Sequence, residues 1–412
     1  MADNNFIASI DIGSSKIAVF LAEEDNGRMR VFGHAVGRSS GVRKGVIHDI
    51  EQTSKVIKSL VDKTFLSEGS RFHNVSVNIS DPHLTVINRE GPVAVSGEVV
   101  SQKDLESAIQ TASAITTPAN KQIITNLVNR YTLDKDPITH QGLDVDQPIG
   151  QEAKTLEVGM HIVTASNQCI GAIEQSVSNS NLGINNIVLN SMACSEACLS
   201  QEDKDNGVCL VDIGSGVINL SVFTRGGISY SSVIQEGGDK VTEAIMYAFG
   251  ASFKEAERLK VTFGKAQSKL IREDALVRFQ QADDVEGAQR YLSLQSLVEV
   301  IEQAYLELFV LIQKDLKAQN ILQLIKSGFV LTGGAVKIPG CDNLMLGHFK
   351  IRTKHAIIDT NKITADVKLL QPEFACALGL ILYDDEPDLE MVEQSKDSNF
   401  FNKLKGHFNR KF

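Results

Sequence analysis

Residues 207–223 read GVCLVDIGSGVINLSVF, and residues 6–22 read FIASIDIGSSKIAVFLA. In each, an apolar run of strand composition ends in Asp-Ile-Gly, passes through a turn of small residues and enters a second apolar run, the pattern of a hairpin. The two copies, Asp11-Ile12-Gly13-Ser14-Ser15 and Asp212-Ile213-Gly214-Ser215-Gly216, stand about two hundred residues apart. That repetition predicts an internally duplicated α/β architecture with one hairpin per half.

Between the hairpins, residues 50–65 read as a helix with Val56, Ile57, Leu60, Val61 and Thr64 on one face. Residues 74–80 (NVSVNIS) alternate as a half-buried strand does. Residues 101–114 open with Ser101 and carry Asp104 three positions on, close to a capping box, ahead of the stripe Leu105, Ala108, Ile109 and Ala112. Residues 81–159 are long enough for a small inserted domain, within which 133–151, rich in Asp, Gln, Gly and Pro, read as loop. Beyond the second hairpin a helix is expected from near Asp239, another over 253–262 and a long one over 294–319. A strand over 329–332 leads into Gly333-Gly334, and Pro372 opens an apolar helix.

Composition narrows the classes. At roughly 100 to 200 residues per domain, the chain should form two to four domains. Its 412 residues, 42% hydrophobic and 22% charged, can bury cores that need no disulfide or metal staple. The net charge of −10 argues against nucleic acid as the main partner, because duplex binding rests on basic surface. Cys169, Cys194, Cys198, Cys209, Cys341 and Cys376 form no C-x-x-C pair and sit at no zinc spacing, so free core thiols are expected. Asp3 and the lack of a basic segment ahead of an apolar stretch argue against a secretory signal. The longest nearly pure apolar run, residues 374–383, has half of the roughly 20 residues that cross a bilayer.

The turns carry the chemistry. A nucleoside triphosphate with Mg²⁺ needs backbone N–H groups that can approach its phosphates and carboxylates that hold the metal through its waters. Glycine and serine turns meet the first need, since a bulky Cβ would keep the phosphate out. Asp11 and Asp212, each at a strand end beside its turn, meet the second. One D-x-G-S segment is ordinarily an Asx or type II turn. Two copies, followed in order by Glu236-Gly237-Gly238-Asp239 and Thr332-Gly333-Gly334-Ala335, make a pattern that chance rarely assembles.

This order of hairpin, VDIGSG hairpin, LTGGA and PEFACALGL resembles the phosphate 1, phosphate 2, adenosine and connect 2 motifs of the actin, Hsp70 and sugar-kinase superfamily. More narrowly, SIDIGSSKIAV, GVRKGVIHDIE, NVSVNISDPHL, EGGDKVTEAI, FKEAERLKVTFG and LTGGAVKIPG resemble the FtsA family of bacterial cell-division proteins, over nearly the whole chain. The resemblance implies an actin-like (ribonuclease-H-like) duplicated α/β fold with an inserted small α+β subdomain and a C-terminal amphipathic helix. Its implied division is 1–80, 160–200 and 366–383 for subdomain 1A; 81–159 for the inserted 1C; 201–236 and 312–365 for 2A; and 237–311 for 2B. Residues 384–397 would be an acidic flexible linker and 398–412 a membrane-binding helix.

The same resemblance implies ATP and Mg²⁺ between the halves. Gly13, Ser14, Ser15 and Lys16 would contact the β- and γ-phosphates, Gly214, Ser215 and Gly216 would close from the other side, and Gly237 and Gly238 would join them. Asp11 and Asp212 would hold the metal, Glu257 and Lys260 match the family's ribose-contacting A-E-x-x-K, and Gly333 and Gly334 would let adenine lie against backbone. By themselves Glu257 and Lys260, three apart on one helical face, equally fit a solvated ion pair. Relatives commonly have Thr-Thr-Asp after the second phosphate turn, where this chain has Val217, Ile218 and Asn219. Where filament-forming relatives place Glu or Gln to orient the attacking water, Asn190 stands here; a shorter amide is a poor base, so tight ATP binding with slow or negligible hydrolysis is expected.

On average the net charge of −10 argues against anionic membranes too, and the tail reverses that argument. The net −10 divides into −8 for residues 1–383, −6 for 384–397 and +4 for 398–412, and the last segment holds four of the eighteen Phe. At about 100° per residue, Phe400, Phe401, Leu404, Phe408 and Phe412 share an arc of about 120°, with Asn402, Lys403, Gly406 and Arg410 opposite, Lys405 at its edge and Lys411 inside it. A basic, Phe-rich amphipathic helix after an acidic tether reads as an in-plane membrane anchor; a helix docked on its own core or in a partner's groove is the alternative. Each base is worth about 1 kcal/mol near an anionic surface and each buried Phe about 1.5 to 3, much of it offset by ordering so short a helix. One copy should bind reversibly and a filament firmly.

For the family, these features imply a protein that polymerises on the cytoplasmic face of the inner membrane at the division septum. Its partners would be the C-terminal peptide of the tubulin-like FtsZ, other copies of itself, membrane lipids and the cytoplasmic tails of other division proteins. The FtsZ peptide would dock near residues 250–311, whose basic side chains are Lys260, Lys265, Lys269, Arg272, Arg278 and Arg290; Arg290 is the residue singled out. The alternatives are a type IV pilus platform-like homologue, which lacks the acidic tether and basic helix, and a small-molecule kinase of the same superfold, which needs an Asp base that no motif here supplies.

Overall fold

The computed structural model describes residues 6–68, 72–136, 138–282 and 290–383. Two sheets of matching design organise it. In the first, Arg28–Arg38, Lys16–Asp25 and Ile7–Ile12 form an antiparallel meander, continued on the Ile7–Ile12 side by Asn74–Ile79 and Gly183–Leu189 in parallel. In the second, Gly227–Ile234, Ile218–Thr224 and Val208–Ile213 repeat the meander, with Gly328–Thr332 and Thr353–His355 as the parallel continuation. The first sheet carries one addition, Ile363–Thr364, beside Arg28–Arg38. Both hairpins and the duplication are as the sequence predicts.

Helices cover the sheets in layers. Ile50–Glu68 and Asn167–Ser178 pack Ile57, Leu60, Ile170, Ile173 and Val177 against Ile10, Val19, Leu21 and Val77 of the first sheet. Between the sheets lie Asn190–Cys198 and Ala375–Leu382; the second is apolar all round, and the first is built of small residues and buries Asn190, Ser191 and Ser195 along with Met192 and Ala193. They cross closely: a Cβ on Gly379 would stand 1.7 Å from the Ala193 carbonyl oxygen, so only glycine fits. The far face of the second sheet is covered by Gly238–Phe249, Phe253–Phe263, Leu294–Ala318 and Cys341–Phe349.

The strand Asn74–Ile79 differs from its expected half-burial. It lies inside the sheet with helices on both faces, so its polar residues are buried as well; Asn78 is retained because its Oδ1 accepts the Ile12 N–H at 2.7 Å.

The inserted domain leaves the first half at Asp81 and returns at Ser166, whose N–H donates to Asp81 Oδ2 at 2.7 Å. It is a four-stranded antiparallel sheet, Thr85–Ala94, Thr155–Ser166, Lys121–Leu133 and Leu143–Val145 in spatial order, with the helix Gln102–Ser113 on one face. Ser101 and Asp104 complete the capping box, and the hydrogen bonds from Ser101 and Ser96 hold the Asp104 carboxyl well below the usual carboxylate range. The short strand Leu143–Val145 lies inside the stretch read as loop, its Asp-rich composition outweighed by pairing with Tyr131–Leu133.

Candidate nucleotide-binding cleft

The two hairpin turns have the same local geometry. The Gly13 N–H donates to the Lys16 carbonyl at 3.0 Å, and the Gly214 N–H to the Val217 carbonyl at 3.0 Å. Their tips meet across the cleft. A Cβ on Gly216 would lie 2.7 Å from Ser14 Oγ and 3.0 Å from Lys44 Cα, while Ser14 Oγ accepts the Gly45 N–H at 3.0 Å. Glycine at 216 is therefore a condition of closure. Lys44 also spans the halves, its Nζ 3.3 Å from Glu236 Oε1.

Asp11 and Asp212 form the floor, at 6% and 7% exposure. Burial pushes the Asp11 carboxyl up, opposed by Lys16 and by the Cys376 thiol. Burial, with the charge of Asp11 added, pushes Asp212 up to about 6, opposed by a hydrogen bond from Asn219 and by Lys16. Two like charges on a dry floor favour a divalent cation between them. A second observation fits the same need: Asn219 donates its Nδ2 to Asp212 Oδ2 at 3.1 Å, and its Oδ1 is buried without a hydrogen-bond partner among the described residues. No cluster of three or more His, Cys, Asp or Glu side chains converges among the described residues. Mg²⁺ would thus be held by two carboxylates, its own waters and the phosphates, as suits that cation.

The wall is the start of the helix Gly238–Phe249. The Gly238 and Asp239 N–H groups donate to the Gly214 and Ser215 carbonyls at 2.9 and 2.8 Å, and a Cβ on Gly237 would lie 2.6 Å from the Ser215 oxygen. The helix is thereby stitched to the second turn. Glu257 and Lys260 pair at 2.7 Å beneath it, and Lys260, only 11% exposed, also donates to the Gly238 carbonyl at 3.0 Å and to Thr242 Oγ1 at 2.7 Å. This is a braced pair at the cleft wall rather than a solvated one. Burial pushes the neighbouring Asp239 up to about 6 against the pull of Lys260.

At the end of the strand Gly328–Thr332, Gly333 has φ +92°, and a Cβ there would lie 2.3 Å from Asp212 Oδ1. Gly334 has its Cβ direction open, the nearest atom being Glu373 Cβ at 4.0 Å, which leaves backbone free to meet a flat base. The Tyr305 hydroxyl holds this turn by donating to the Ala335 carbonyl at 2.6 Å. Thr332 Oγ1 donates to the Pro372 carbonyl at 2.9 Å, and Lys16 Nζ to the Glu373 carbonyl at 2.5 Å with its ammonium 5.1 Å from the centre of the Phe374 ring. The helical segment from Pro372 thus joins the first turn to the strand Gly328–Thr332.

Asn190 is buried at the first position of its helix, its Oδ1 accepting the Cys194 Sγ–H at 3.5 Å, and Cys194 in turn feels the charges of Asp212 and Asp11. Arg290 lies outside the cleft, on the hairpin Leu276–Phe279 with Arg290–Ser293. Phe400, Phe401, Lys403, Leu404, Lys405, Phe408, Arg410 and Phe412 lie outside the described residues, as does the linker. No helix among the described residues is long and apolar enough to cross a membrane. Sequence reasoning gave no role in the cleft to Lys44, Asp239, Cys194 or Cys376; Lys44, Asp239 and Cys376 stand inside quoted motifs, and Cys194 follows Asn190 by four residues.

A family model described as "Cell division protein FtsA" matches residues 209–379, and one described as "SHS2 domain inserted in FTSA" matches residues 82–164. The cell division protein FtsA of Pseudomonas aeruginosa is 32% identical over 378 residues, covering 92% of this chain and 88% of that protein. The chain belongs to the FtsA family. FtsA of Escherichia coli (strain K12) is 28% identical over 399 residues, 94% of this chain and 92% of that one. Among solved structures, the PilM-PilN type IV pilus biogenesis complex aligns at TM-score 0.62 and 18% identity over 91% of this chain and 97% of that one. MreB5 of Spiroplasma citri bound to ADP aligns at 0.54 and 12%, over 95% and 99%. The MamK double helical filament aligns at 0.51 and 13%, over 95% and 99%. The fold is the actin-like one expected, and FtsA membership makes the chain an actin-like cell-division protein.

Proposed function

We propose that this chain binds Mg²⁺·ATP between its halves, polymerises on the cytoplasmic face of the inner membrane at the septum, and tethers FtsZ filaments there while receiving the tails of later division proteins. The observation that carries the reading is the meeting of the Gly13–Lys16 and Gly214–Gly216 turns above the buried pair Asp11 and Asp212. Bound Mg²⁺ supplies positive charge to the floor and to the phosphates. The chain's own groups do the rest: turn N–H groups and glycines admit the phosphates, Gly333 and Gly334 pass the base, and Glu257 with Lys260 sits where the ribose would lie. ATP then acts chiefly as a structural ligand that stabilises the closed state by linkage. Hydrolysis is slow because Asn190 is short and its oxygen already faces the Cys194 thiol.

The outer surface of the 276–293 hairpin suits an acidic, apolar peptide: Leu276 is 72% and Tyr291 55% exposed, and Arg278 pairs in register with Tyr291 beside Arg290. We assign the FtsZ peptide to this surface, the division-protein tails to the inserted domain, and the membrane to the helix of residues 398–412. The bounds 1–80, 160–200 and 366–383 for 1A, 81–159 for 1C, 201–236 and 312–365 for 2A and 237–311 for 2B belong to the same proposal, with the end of 1C moved from 159 to Ser166, where the strand Thr155–Ser166 leaves the inserted sheet. The acidic tether and basic tail set the reading apart from a pilus platform. Electron microscopy with ATP on anionic lipid monolayers tests it, with and without residues 398–412. Filaments that need those residues to reach the lipid are expected; the absence of filaments under every condition would overturn the reading.

A further inference from the structure

The inserted domain rests on the second half as well as the first. Asn88 Nδ2 donates to the Ser229 carbonyl at 2.9 Å and Asn129 Nδ2 to the Ile228 carbonyl at 3.1 Å, so side-chain amides cover the edge strand Gly227–Ile234. Arg225, just ahead of that strand, pairs with Asp144 of the inserted sheet. A Cβ on Gly227 would stand 2.7 Å from Asn129 Cα, so the two backbones meet there directly. The domain is therefore a strap, joined to the first half at Asp81 and Ser166 and seated on the second by this seam.

A file of polar side chains leads from this seam to the nucleotide cleft. His161, fully buried, lies 2.7 Å from Asn88 Oδ1 and 3.1 Å from Ser231 Oγ. With the Asn88 amide nitrogen directed at Ser229, its Oδ1 can only accept, so Nδ1 of His161 carries the proton and Nε2 accepts from the Ser231 hydroxyl. Burial pushes His161 down to about 4, which keeps the ring neutral as this arrangement requires. Ser231 stands in register with Ser221 on the neighbouring strand. Asn219, two residues before Ser221 and so on the same side of the sheet, donates to Asp212 Oδ2 at 3.1 Å. Asn219, Ser221 and Ser231 are at most 2% exposed, among the apolar side chains Leu210, Phe223, Ile228 and Val330.

Polar groups buried in apolar surroundings are costly unless partnered, and this file is only partly so. Asn219 Oδ1 and Ser221 Oγ have no hydrogen-bond partner among the described residues. Both belong to groups that re-aim in place, an amide and a hydroxyl, so a change of charge at Asp212 can pass along the file without a change of fold. The element with two states is the seat of the inserted domain on Gly227–Ile234, made or slipped. We propose that this file couples the nucleotide cleft to the inserted domain: Mg²⁺·ATP at Asp212 tightens the seam, and loosening the seam weakens nucleotide binding by the same factor. The coupling rests on the nucleotide reading of the cleft and on no partner of the inserted domain.

Hydrogen exchange read by mass spectrometry on the chain of residues 1–412, with and without Mg²⁺·ATP, tests the proposal. Exchange in residues 85–94 and 227–234 should slow about five- to twentyfold when nucleotide is added. Ser221→Ala should cut that slowing to less than about twofold, while residues 212–217 of the cleft stay as protected by nucleotide as in the parent chain. Ser176→Ala, at a buried serine outside the file whose Oγ is likewise unpartnered, should change neither. In the other direction, Asn88→Ala with Asn129→Ala, at the seam alone, should weaken Mg²⁺·ATP about five- to tenfold in calorimetry, and less than about twofold in the Ser221→Ala background. A seam that slows equally in Ser221→Ala, a seam indifferent to nucleotide that protects the cleft, or unchanged affinity in the Asn88 and Asn129 variant would overturn the coupling. Failure of ATP to bind at all would overturn the nucleotide reading with it.

Discussion

The two turns that face each other across the cleft share a backbone and differ in how they handle charge. At the register position opposite Asp11 stands Ala18, and opposite Asp212 stands Asn219. The first turn ends in Lys16, whose charge eases the burial of Asp11; the same position in the second is Val217. The second half meets its buried carboxylate with an amide and with glycine contacts, among them Gly333 against Asp212. Lys16 also pulls on Asp212, but there it is the smaller influence behind Asn219, so in the proposed site the second half would depend more on a cation arriving with the nucleotide.

The comparison can be broken most forcefully at glycine. Gly333→Ala should cost about 1–3 kcal/mol in denaturant unfolding, because its φ of +92° strains any other residue, and should weaken ATP binding about a hundredfold as the methyl meets Asp212. Gly13→Ala in the first turn should cost less than about 1 kcal/mol, its Cβ meeting only the Lys16 oxygen at 3.0 Å.

Next comes the carboxylate. With a folded pKa of about 6 against an ordinary 3.8, Asp212 lends nucleotide-free protein stability that is fully present below pH 3.8 and lost as pH rises through about 6. Asp212→Asn should flatten that slope in thermal unfolding across pH 4 to 7, gain at most about 3 kcal/mol at neutral pH, and remove the Mg²⁺ dependence of ATP affinity. Asp11→Asn should gain less, because Lys16 already offsets part of the cost.

Smaller effects sharpen the contrast. Lys16→Met, which keeps the alkyl stem and loses the bond to the Glu373 carbonyl, should lower ATP affinity about tenfold in a fluorescent-nucleotide titration. Asn190→Gln should raise phosphate release by a few-fold, since the longer amide extends further towards the attacking water.

The hairpins, the capping box of Ser101 and Asp104 and the long helix Leu294–Ala318 were legible because each is encoded within one stretch by period, cap or turn chemistry. So were the glycines of the cleft, whose spacing follows from the need for bare backbone. Lys16 on Glu373, Lys44 beside Glu236 and Asn88 on Ser229 were not, because periodicity carries no information about which distant segment a side chain will meet. Asp239 illustrates the limit: quoted within its motif, it gains its perturbed carboxyl chiefly from burial, with the charges of Glu257 and Glu243 added.

The central claim is that the two turns and their carboxylates make one nucleotide site. Calorimetric titration of ATP into the whole chain of residues 1–412, with Mg²⁺ and with a chelator, tests it most directly. The account predicts one site per chain, tight with Mg²⁺ and weakened without it, in which Asp11→Asn and Asp212→Asn each remove the metal effect. Absence of binding, or binding indifferent to Mg²⁺ and to both substitutions, would contradict it.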